Sequence, residues 1–330
     1  MQSELSLNQR RQLIDVQQAF SAYRGAMRAF DVSYKGSMGW KTSAGHVYLY
    51  RIDGKRQTSL GRRTPETMQL KADYTKARTA ARANLTKMRK SVEATAPINR
   101  AMGLARVPKL AANILRALDK QRLLGDGLFV VGTHALFAYE AASGVVFKTE
   151  VLTTDDLDLL ADTRSHLVVA LASGTRGDGL LDCLQKVDRS FQMQPSNYRA
   201  VNATNYLVDV IRPTSKNEAF AADINLGGFV PIGIDGLKWL ASAPRFEAVA
   251  IAEDGLPVWI PCIDPRAFSL HKLWLSKRAD RRALSKPRDR AQAEAVADVA
   301  QLLGLKYSRR ELSALPKELF NDAERIFKKS

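Results

Sequence analysis

The sequence predicts an α+β fold, with a β-sheet core between an N-terminal region of helix and hairpin and a helical C-terminal region. Three observations predict it. The run LFVV at 128–131 is short and apolar, as in a buried strand, and a helical pattern follows it. Further β-forming runs occur at 198–203, 206–211, 248–252 and 258–262. From Pro265 onward the pattern is helical and basic.

These changes of pattern divide the 330 residues into three predicted regions. Residues 1–106 form a basic helix and hairpin region, 107–262 the core, and 263–330 the C-terminal helical region. A chain of this length is expected to form two or three domains. Neither an internal repeat nor a low-complexity tract is evident.

The net charge of +16 and the pI near 9.9 are unusual for a chain with 45% hydrophobic and 25% charged residues. Such an excess attracts polyanions such as nucleic acid, nucleotides or anionic membranes. Plain solubility is the alternative explanation. We favour nucleic-acid contact, because many of the cations fall in the N-terminal region.

Cysteine content and hydropathy indicate the compartment. Cys183 and Cys262 lie far apart and outside any C-x-x-C spacing, which argues against a redox motif or a structural zinc site. The polar N-terminus has no secretory h-region, and no apolar run approaches ~18 residues. We therefore expect a cytoplasmic protein without membrane contact.

The N-terminal region begins with a predicted helix over the first ~30 residues. The β-formers at 46–51 and the turn dipeptide Asp53-Gly54 then predict a two-stranded hairpin. Basic residues lie along that hairpin and just beyond it: Arg51, Lys55, Arg56, Arg62 and Arg63.

A long amphipathic helix is predicted from Pro65 to about residue 95. Thr64 is suited to cap it, and Pro65 is suited to its first turn. Beside its apolar stripe lies a narrow basic stripe formed by Lys71, Arg78, Arg82 and Arg89. Aligned cations suit a phosphate backbone, and a solvated helix face explains them equally well.

The candidate chemistry lies in the core. The strand 128–131 ends at Gly132-Thr133, where glycine allows close backbone approach and free N–H groups with a hydroxyl can hold phosphate. A short helix from His134 and a strand near Val151 are predicted next. Asp156-Leu157-Asp158 then presents two carboxylates on one side of a strand. Such a pair is costly without a cation, and Mg²⁺ is bound by carboxylates together with substrate phosphates.

The segments VVGTHAL and TTDDLDLL resemble the nucleotidyltransferase superfamily, which includes DNA polymerase β. Bacterial nucleotidyltransferase-fold proteins of the abortive-infection toxin type are the most similar in pattern. The resemblance covers about residues 127–160 and extends more loosely to about 292. It implies a polymerase-β-like mixed-sheet core, an NTP substrate and two Mg²⁺ ions, with Mn²⁺ as a substitute. It also implies that Lys272 contacts the triphosphate and that Asp289 supports it.

Two features depart from the family pattern. Thr133 stands where the family has Gly or Ser, which keeps a hydroxyl and adds a methyl group. The spacing from Gly132 to Asp156 is longer than in compact members, which implies an insertion after the first helix of the core. These differences bear on the roles of individual residues.

A third carboxylate is expected on a strand beside the Asp156–Asp158 strand. Asp209 is the preferred candidate, because an acid among β-forming and apolar neighbours is costly unless it serves a site. Asp223 is the rival, in a weaker strand context.

These residues predict transfer of a nucleoside monophosphate from an NTP, with release of pyrophosphate. No P-loop, complete dinucleotide fingerprint, G-x-S-x-G elbow or H-E-x-x-H motif occurs to suggest other chemistry. The sequence does not identify the acceptor. RNA, such as a tRNA end, is the leading hypothesis; a protein hydroxyl is the second, and a catalytically inactive nucleic-acid-binding module the third. The oligomeric state is not readable from the sequence.

Overall fold

A computed structural model describes residues 3–54, 56–162, 179–214, 224–313 and 315–327. It divides into two compact units, one formed by Ile14–Ile98 and the other by Met1–Leu13 with Asn99–Ser330. The predicted boundaries at 106/107 and 262/263 stay predictions about domain organisation. In the part of the chain described, no helix is both long enough and apolar enough to cross a membrane.

The helices are numbered in chain order over the described residues. They are α1 (Leu7–Ser33), α2 (Pro65–Ala94), α3 (Ala96–Ala101), α4 (Lys109–Lys120), α5 (Ala135–Ser143), α6 (Thr149–Leu152), α7 (Leu180–Val187), α8 (Leu237–Ser242), α9 (Pro265–Lys277), α10 (Ser285–Leu302) and α11 (Lys317–Phe327). A 3₁₀ turn at Gly132–His134 leads into α5.

The strands are numbered in the same way. They are β1 (Ser3–Glu4), β2 (Ser37–Ser43), β3 (His46–Asp53), β4 (Arg56–Arg62), β5 (Leu128–Val131), β6 (Val145–Val146), β7 (Asp156–Ala161), β8 (Gln192–Met193), β9 (Arg199–Val201), β10 (Leu207–Pro213), β11 (Ile232–Ile234), β12 (Arg245–Ile251) and β13 (Pro257–Ile263).

The smaller unit contains a three-stranded antiparallel sheet, β2–β3–β4, and the helix α2. The predicted hairpin corresponds to β3 and β4, and the third strand, β2, was not predicted. Its sequence, SMGWKTS, has little β-branched character, so its pairing depends on β3 rather than on local propensity.

Helix α2 begins as the sequence predicts. The Thr67 backbone N–H donates to the Thr64 hydroxyl over 3.4 Å, and the Thr64 N–H donates to the Thr67 hydroxyl over 2.9 Å. This reciprocal capping satisfies two amide groups that the first turn of a helix leaves without partners.

The larger unit contains a mixed eight-stranded sheet in the order β12–β13–β5–β7–β10–β9–β8, with β11 paired to β10. Strand β7 lies between β5, which is antiparallel to it, and β10, which is parallel. The β12–β13 hairpin agrees with the turn predicted at Asp254-Gly255, and β9 pairs antiparallel with β10. The expected α+β class with a mixed sheet is confirmed.

Buried side chains hold the helices on this sheet. All residues of β5 and of β13 are buried. Helix α5 packs on β12 and β13, and α9 packs along α10. Tyr139 of α5 is fully buried, and its hydroxyl donates to the Ile263 carbonyl over 2.9 Å, which satisfies a polar group that would be costly to bury alone.

The strand expected near Val151 is wrong. Residues Thr149–Leu152 form the single helical turn α6, and its Val151 carbonyl accepts a hydrogen bond from Gln292 of α10 over 2.7 Å. A short apolar run has no periodicity that separates strand from helix, so a distant contact decided the outcome.

Candidate active site

Three carboxylates meet where β7 and β10 run side by side. Asp158 of β7 is in register with Asp209 of the parallel strand β10, and Asp156 is in register with Leu207. Residues two apart in a strand point to one side, and partners in register share that side. The sheet therefore brings together Asp156, Asp158 and Asp209, the three acids that the sequence analysis selected.

Gly132 lies directly against Asp158. Strand β5 ends in register with β7, with Val131 opposite Asp158. Gly132 then adopts φ +66°, and a Cβ atom built on it would lie 2.3 Å from Oδ2 of Asp158. Both the backbone conformation and the carboxylate contact thus require glycine at this position.

Asp158 is an acid whose pKa departs strongly from its ordinary value. Burial raises its pKa to about 7, and the negative charges of Asp156 and Asp209 add to the shift, while Lys272 and Arg199 oppose it. It accepts no hydrogen bond from any residue that the structure describes. The positive charges of Lys272 and Arg199 thus offset only part of the effect of the two neighbouring acids and of desolvation.

Asp209 is paired with an arginine that the sequence analysis missed. Arg199 of β9 donates from Nε to Oδ1 over 2.6 Å and from a terminal nitrogen to Oδ2 over 2.5 Å. Asp209 is only 6% exposed, so this bidentate pair neutralises a buried charge. The hydrogen bond also raises the pKa of the Arg199 guanidinium.

Two uncharged side chains, Thr154 and His134, also lie close to Asp156. The Thr154 hydroxyl donates to Oδ1 of Asp156. His134 lies near it, and burial lowers the pKa of His134 to about 4, although the Asp156 charge opposes the shift. Nε2 of His134 lies 3.3 Å from the Tyr206 hydroxyl. His134 is therefore neutral at pH 7 and contributes no charge to the site.

Lys272 and Asp289 contact each other, on α9 and α10. The Lys272 ammonium donates to Oδ1 of Asp289 over 2.9 Å, and Nε of Arg281 donates to Oδ2 over 2.7 Å. Asp289 is completely buried, yet these two cations outweigh the effect of burial and hold its pKa below the usual range. Asp289 thus fixes both cations, and Lys272 is close enough to Asp158 to influence its pKa.

Thr133 is buried, and its hydroxyl is engaged. It accepts a hydrogen bond from Nε2 of Gln292 over 3.2 Å. Oε1 of Gln292 is buried with no hydrogen-bond partner among the described residues. The hydroxyl is thus oriented by α10, and the extra methyl group of threonine is accommodated inside the protein.

The donor set suits a hard divalent cation such as Mg²⁺. Carboxylate oxygens are its usual protein ligands, and the pKa of Asp158 stays raised despite the positive charges of Lys272 and Arg199. In the described residues, however, no three acidic, histidine or cysteine side chains already converge as a metal site, and both Asp209 oxygens bond Arg199. A carboxylate has about four lone-pair positions, so Asp209 can accept Arg199 and a cation together. Asp223, the alternative third acid, lies outside the described residues.

The residues that the sequence analysis assigned to nucleic-acid binding lie in the smaller unit. The Lys71 ammonium is 5.6 Å from the Trp40 ring centroid, Arg89 pairs with Glu93 over 3.5 Å, and Arg82 is exposed. Arg78 is half-buried, and its Nε has no hydrogen-bond partner among the described residues. The stripe therefore holds four cations, of which Lys71 and Arg89 already have contacts.

Positive charge is concentrated in the same unit. Residues 14–98 contain 16 lysines and arginines against six aspartates and glutamates, a net charge of +10 out of +16 for the whole chain. Such a field attracts a polyanion to this unit before any specific contact forms.

A family model described as nucleotidyltransferase matches residues 109–312. No curated protein and no solved structure gives a significant match. The matched residues include the three acids, Gly132, Lys272 and Asp289, and they exclude the basic unit.

Proposed function

This chain belongs to the nucleotidyltransferase family, and we propose that it transfers a nucleoside monophosphate from an NTP to a hydroxyl group of RNA. In that reaction the acceptor oxygen bonds to the α-phosphorus, and the bond from that phosphorus to the β-phosphate oxygen breaks. Pyrophosphate and the hydroxyl proton are released. The family supports NMP transfer in general, and the acceptor is our proposal.

The observation that carries the proposal is the state of Asp158. It is partly exposed, lies two residues from Asp156 on β7 and in register with Asp209, and Gly132 touches it at the start of the turn that we propose to bind phosphate. Without a ligand this arrangement is unfavourable, because like charges are held close together. Such destabilisation is typical of functional sites.

Asp156, Asp158 and Asp209 would hold Mg²⁺ in our proposal. A bound divalent cation neutralises triphosphate charge and lowers the pKa of the acceptor hydroxyl. Two ions are expected from the family resemblance, with Mn²⁺ as a substitute. Arg199 would keep Asp209 oriented toward β7 through its bidentate contact.

The remaining groups position the triphosphate. The backbone N–H groups of the turn at Gly132 and Thr133 would bind the β- and γ-phosphates. Lys272 has further N–H donors beyond the one that Asp289 accepts, and these would neutralise the leaving pyrophosphate. Asp289 acts through Lys272 as a positioning residue. Catalysis of this kind depends on position and charge, so few residue types are needed.

RNA is preferred over protein as the acceptor because of the charge distribution. Residues 14–98 carry a net charge of +10 and contain none of the acids that we assign to the NTP. Such a charge suits a long polyanion. A protein hydroxyl acceptor would not require it.

The test is incubation with each α-³²P-labelled NTP, Mg²⁺ and either total RNA or total protein. We expect label in the RNA fraction, sensitive to ribonuclease and dependent on Asp158. Label that enters the protein fraction and resists ribonuclease would show that the acceptor is protein and not RNA. Absence of label from both fractions would contradict the proposed transfer.

A further inference from the structure

The three-stranded sheet of the smaller unit has two faces of different character. On one face, Leu49 is completely buried, Trp40 lies under Lys71, and Arg51 lies 5.2 Å from the Tyr74 ring of α2. This face packs toward the helix. Because side chains alternate along a strand, the residues between these ones point the other way.

The opposite face, which we call the outer face, is aromatic at its centre. Register places its side chains in three rows across β2, β3 and β4: Lys41, Tyr48 and Arg62; then Gly39, Tyr50 and Ser59; then Ser37, Ile52 and Gln57. Gln57, Ser59 and Arg62 are exposed. Tyr48 and Tyr50 are half-buried and lie on the middle strand, beside these exposed residues of β4.

The neighbours of the two tyrosines suit ligand contact. Tyr50 is flanked by Gly39 and Ser59, which leave space beside its ring. Tyr48 is flanked by two cations: Nε of Arg62 donates to its hydroxyl over 3.2 Å, with the guanidinium 5.9 Å from the ring centroid, and Lys41 lies on the other side. Lys41 reaches across the face to Gln57, with Nζ 2.5 Å from Oε1.

Two aromatic rings in neighbouring rows of a sheet, with a cation on each side of one of them, are suited to single-stranded nucleic acid. Unpaired bases stack on the rings, and the phosphates between them contact Lys and Arg. The net charge of +10 on residues 14–98 complements such a strand. A duplex hides the faces of its bases, so it cannot use the rings.

We propose that the outer face binds a single-stranded segment of RNA by stacking bases on Tyr48 and Tyr50, with Lys41 and Arg62 contacting the flanking phosphates. The choice of RNA rests on the proposed function, which calls for an RNA acceptor. None of these four residues belongs to the proposed nucleotidyl-transfer site, so we assign them to holding the acceptor strand.

The test measures binding of a fluorescein-labelled 12-nucleotide single-stranded RNA by anisotropy, without NTP or Mg²⁺, over a range of salt concentrations. Tyr48→Ala with Tyr50→Ala should weaken binding by about tenfold or more, since stacking of each base contributes on this scale. The matched variant Tyr48→Phe with Tyr50→Phe keeps both rings and should stay within about twofold of the parent.

Charge and stacking are separated by the salt dependence. The Tyr→Ala pair should leave the slope of log affinity against log salt unchanged. Lys41→Gln with Arg62→Gln should reduce the slope by about 1.4, since each phosphate contact with a single strand contributes about 0.7. This second pair keeps the proposal testable if the Tyr→Ala pair fails to fold, which circular dichroism detects.

Several results would overturn the proposal. These are unchanged affinity in a folded Tyr→Ala pair, equal loss in the Tyr→Phe pair, or equal loss of binding to an RNA duplex. Binding of a poly-glutamate peptide instead of RNA would assign the face to an acidic protein, and binding of DNA alone would exclude RNA.

Failure here is distinguishable from failure of the proposed function. RNA binding that depends on the two tyrosines, in a protein that transfers no NMP, supports the outer face and contradicts the transfer. Transfer to RNA with binding unaffected by the tyrosine changes gives the opposite result. Asp158→Asn should bind the RNA like the parent.

Discussion

At the scale of single residues, the site depends on a glycine held against a carboxylate. Gly132 occupies a left-handed conformation at φ +66°, and its missing Cβ leaves room for Oδ2 of Asp158. The first condition concerns backbone strain, and the second concerns the position of the acid that we propose as a metal ligand. Another glycine of the same unit, Gly304, meets the first condition only: its φ is +69°, and nothing lies within 4 Å of the Cβ position.

Gly132→Ala and Gly304→Ala therefore form a matched pair. Each should lower the free energy of unfolding by about 1–2 kcal/mol, because a left-handed conformation strains alanine. Only Gly132→Ala should displace Asp158, and a displacement of that size should reduce NMP transfer by about 100-fold. Thermal melting and initial rates check the two effects. Transfer by Gly132→Ala within tenfold of the parent would contradict the assigned contact.

Asp158 also predicts a pH dependence for the metal-free protein. Its pKa is raised from 3.8 to about 7 in the folded state, so between those values the folded state holds the proton more tightly than the unfolded state. The stabilising contribution is complete below about pH 4 and is lost as pH rises through 7. In EDTA, the parent should lose more Tm between pH 5 and 8 than Asp158→Asn, by at least about 3 °C.

Magnesium supplies the control for that measurement. At pH 8 it should raise the Tm of the parent and should have less effect on Asp158→Asn, because the cation favours the ionised carboxylate. Equal pH profiles for the two proteins would show that Asp158 is not the strained group.

What the sequence could predict at this scale depends on whether the contact is local. Asp156 and Asp158 lie on one strand, so their alternation with leucines in the sequence was enough to predict that both side chains point to the same side. Asp209 could be predicted because it is a charged residue among β-forming neighbours. Arg199 was not foreseen, because its pairing depends on the register between β9 and β10, which the sequence of either strand alone does not determine.

At the scale of elements, helix α2 carries the predicted basic stripe. The prediction of the helix succeeded because Thr64, Pro65 and a long apolar periodicity agree. Strand β2 was missed because its sequence has little β-branched character, and α6 was mistaken for a strand because a short apolar run has no periodicity of its own. Elements with a clear pattern, such as α2 and the apolar strand β5, are thus readable from sequence, and elements whose conformation depends on distant partners are not.

The stripe on α2 can be tested against another face of the same helix. Arg78→Glu with Arg82→Glu should lower RNA affinity by at least about 100-fold at moderate salt and reduce the salt dependence. Lys76→Glu with Lys87→Glu makes the same change of charge about 140–160° around the helix and should have a smaller effect.

Anisotropy at two salt concentrations, with melting temperatures, checks the stripe. Equal losses in the two double variants would indicate a general effect of charge. Loss of stability in the Arg78 variant alone would mean that its partly buried guanidinium has a structural role.

At the scale of the whole molecule, the family assignment and the charge distribution concern different units. Residues 109–312 match the nucleotidyltransferase family, whereas the excess charge is concentrated at 14–98. We interpret the first as the transfer machinery and the second as the means of holding an acceptor. This division of roles explains why a site of few residues lies in a chain of 330.

The most direct test of the transfer itself compares ATP labelled at the α-phosphate with ATP labelled at the γ-phosphate, with RNA and Mg²⁺ present, for the parent and for Asp158→Asn. If the other NTPs give better transfer, the same comparison applies to them. We expect the α-label to enter RNA and the γ-label to leave as pyrophosphate. Asp158→Asn should reduce transfer at least 100-fold while keeping the fold. Entry of the γ-label into RNA, or transfer by Asp158→Asn within tenfold of the parent, would contradict the assignment of these acids to nucleotidyl transfer.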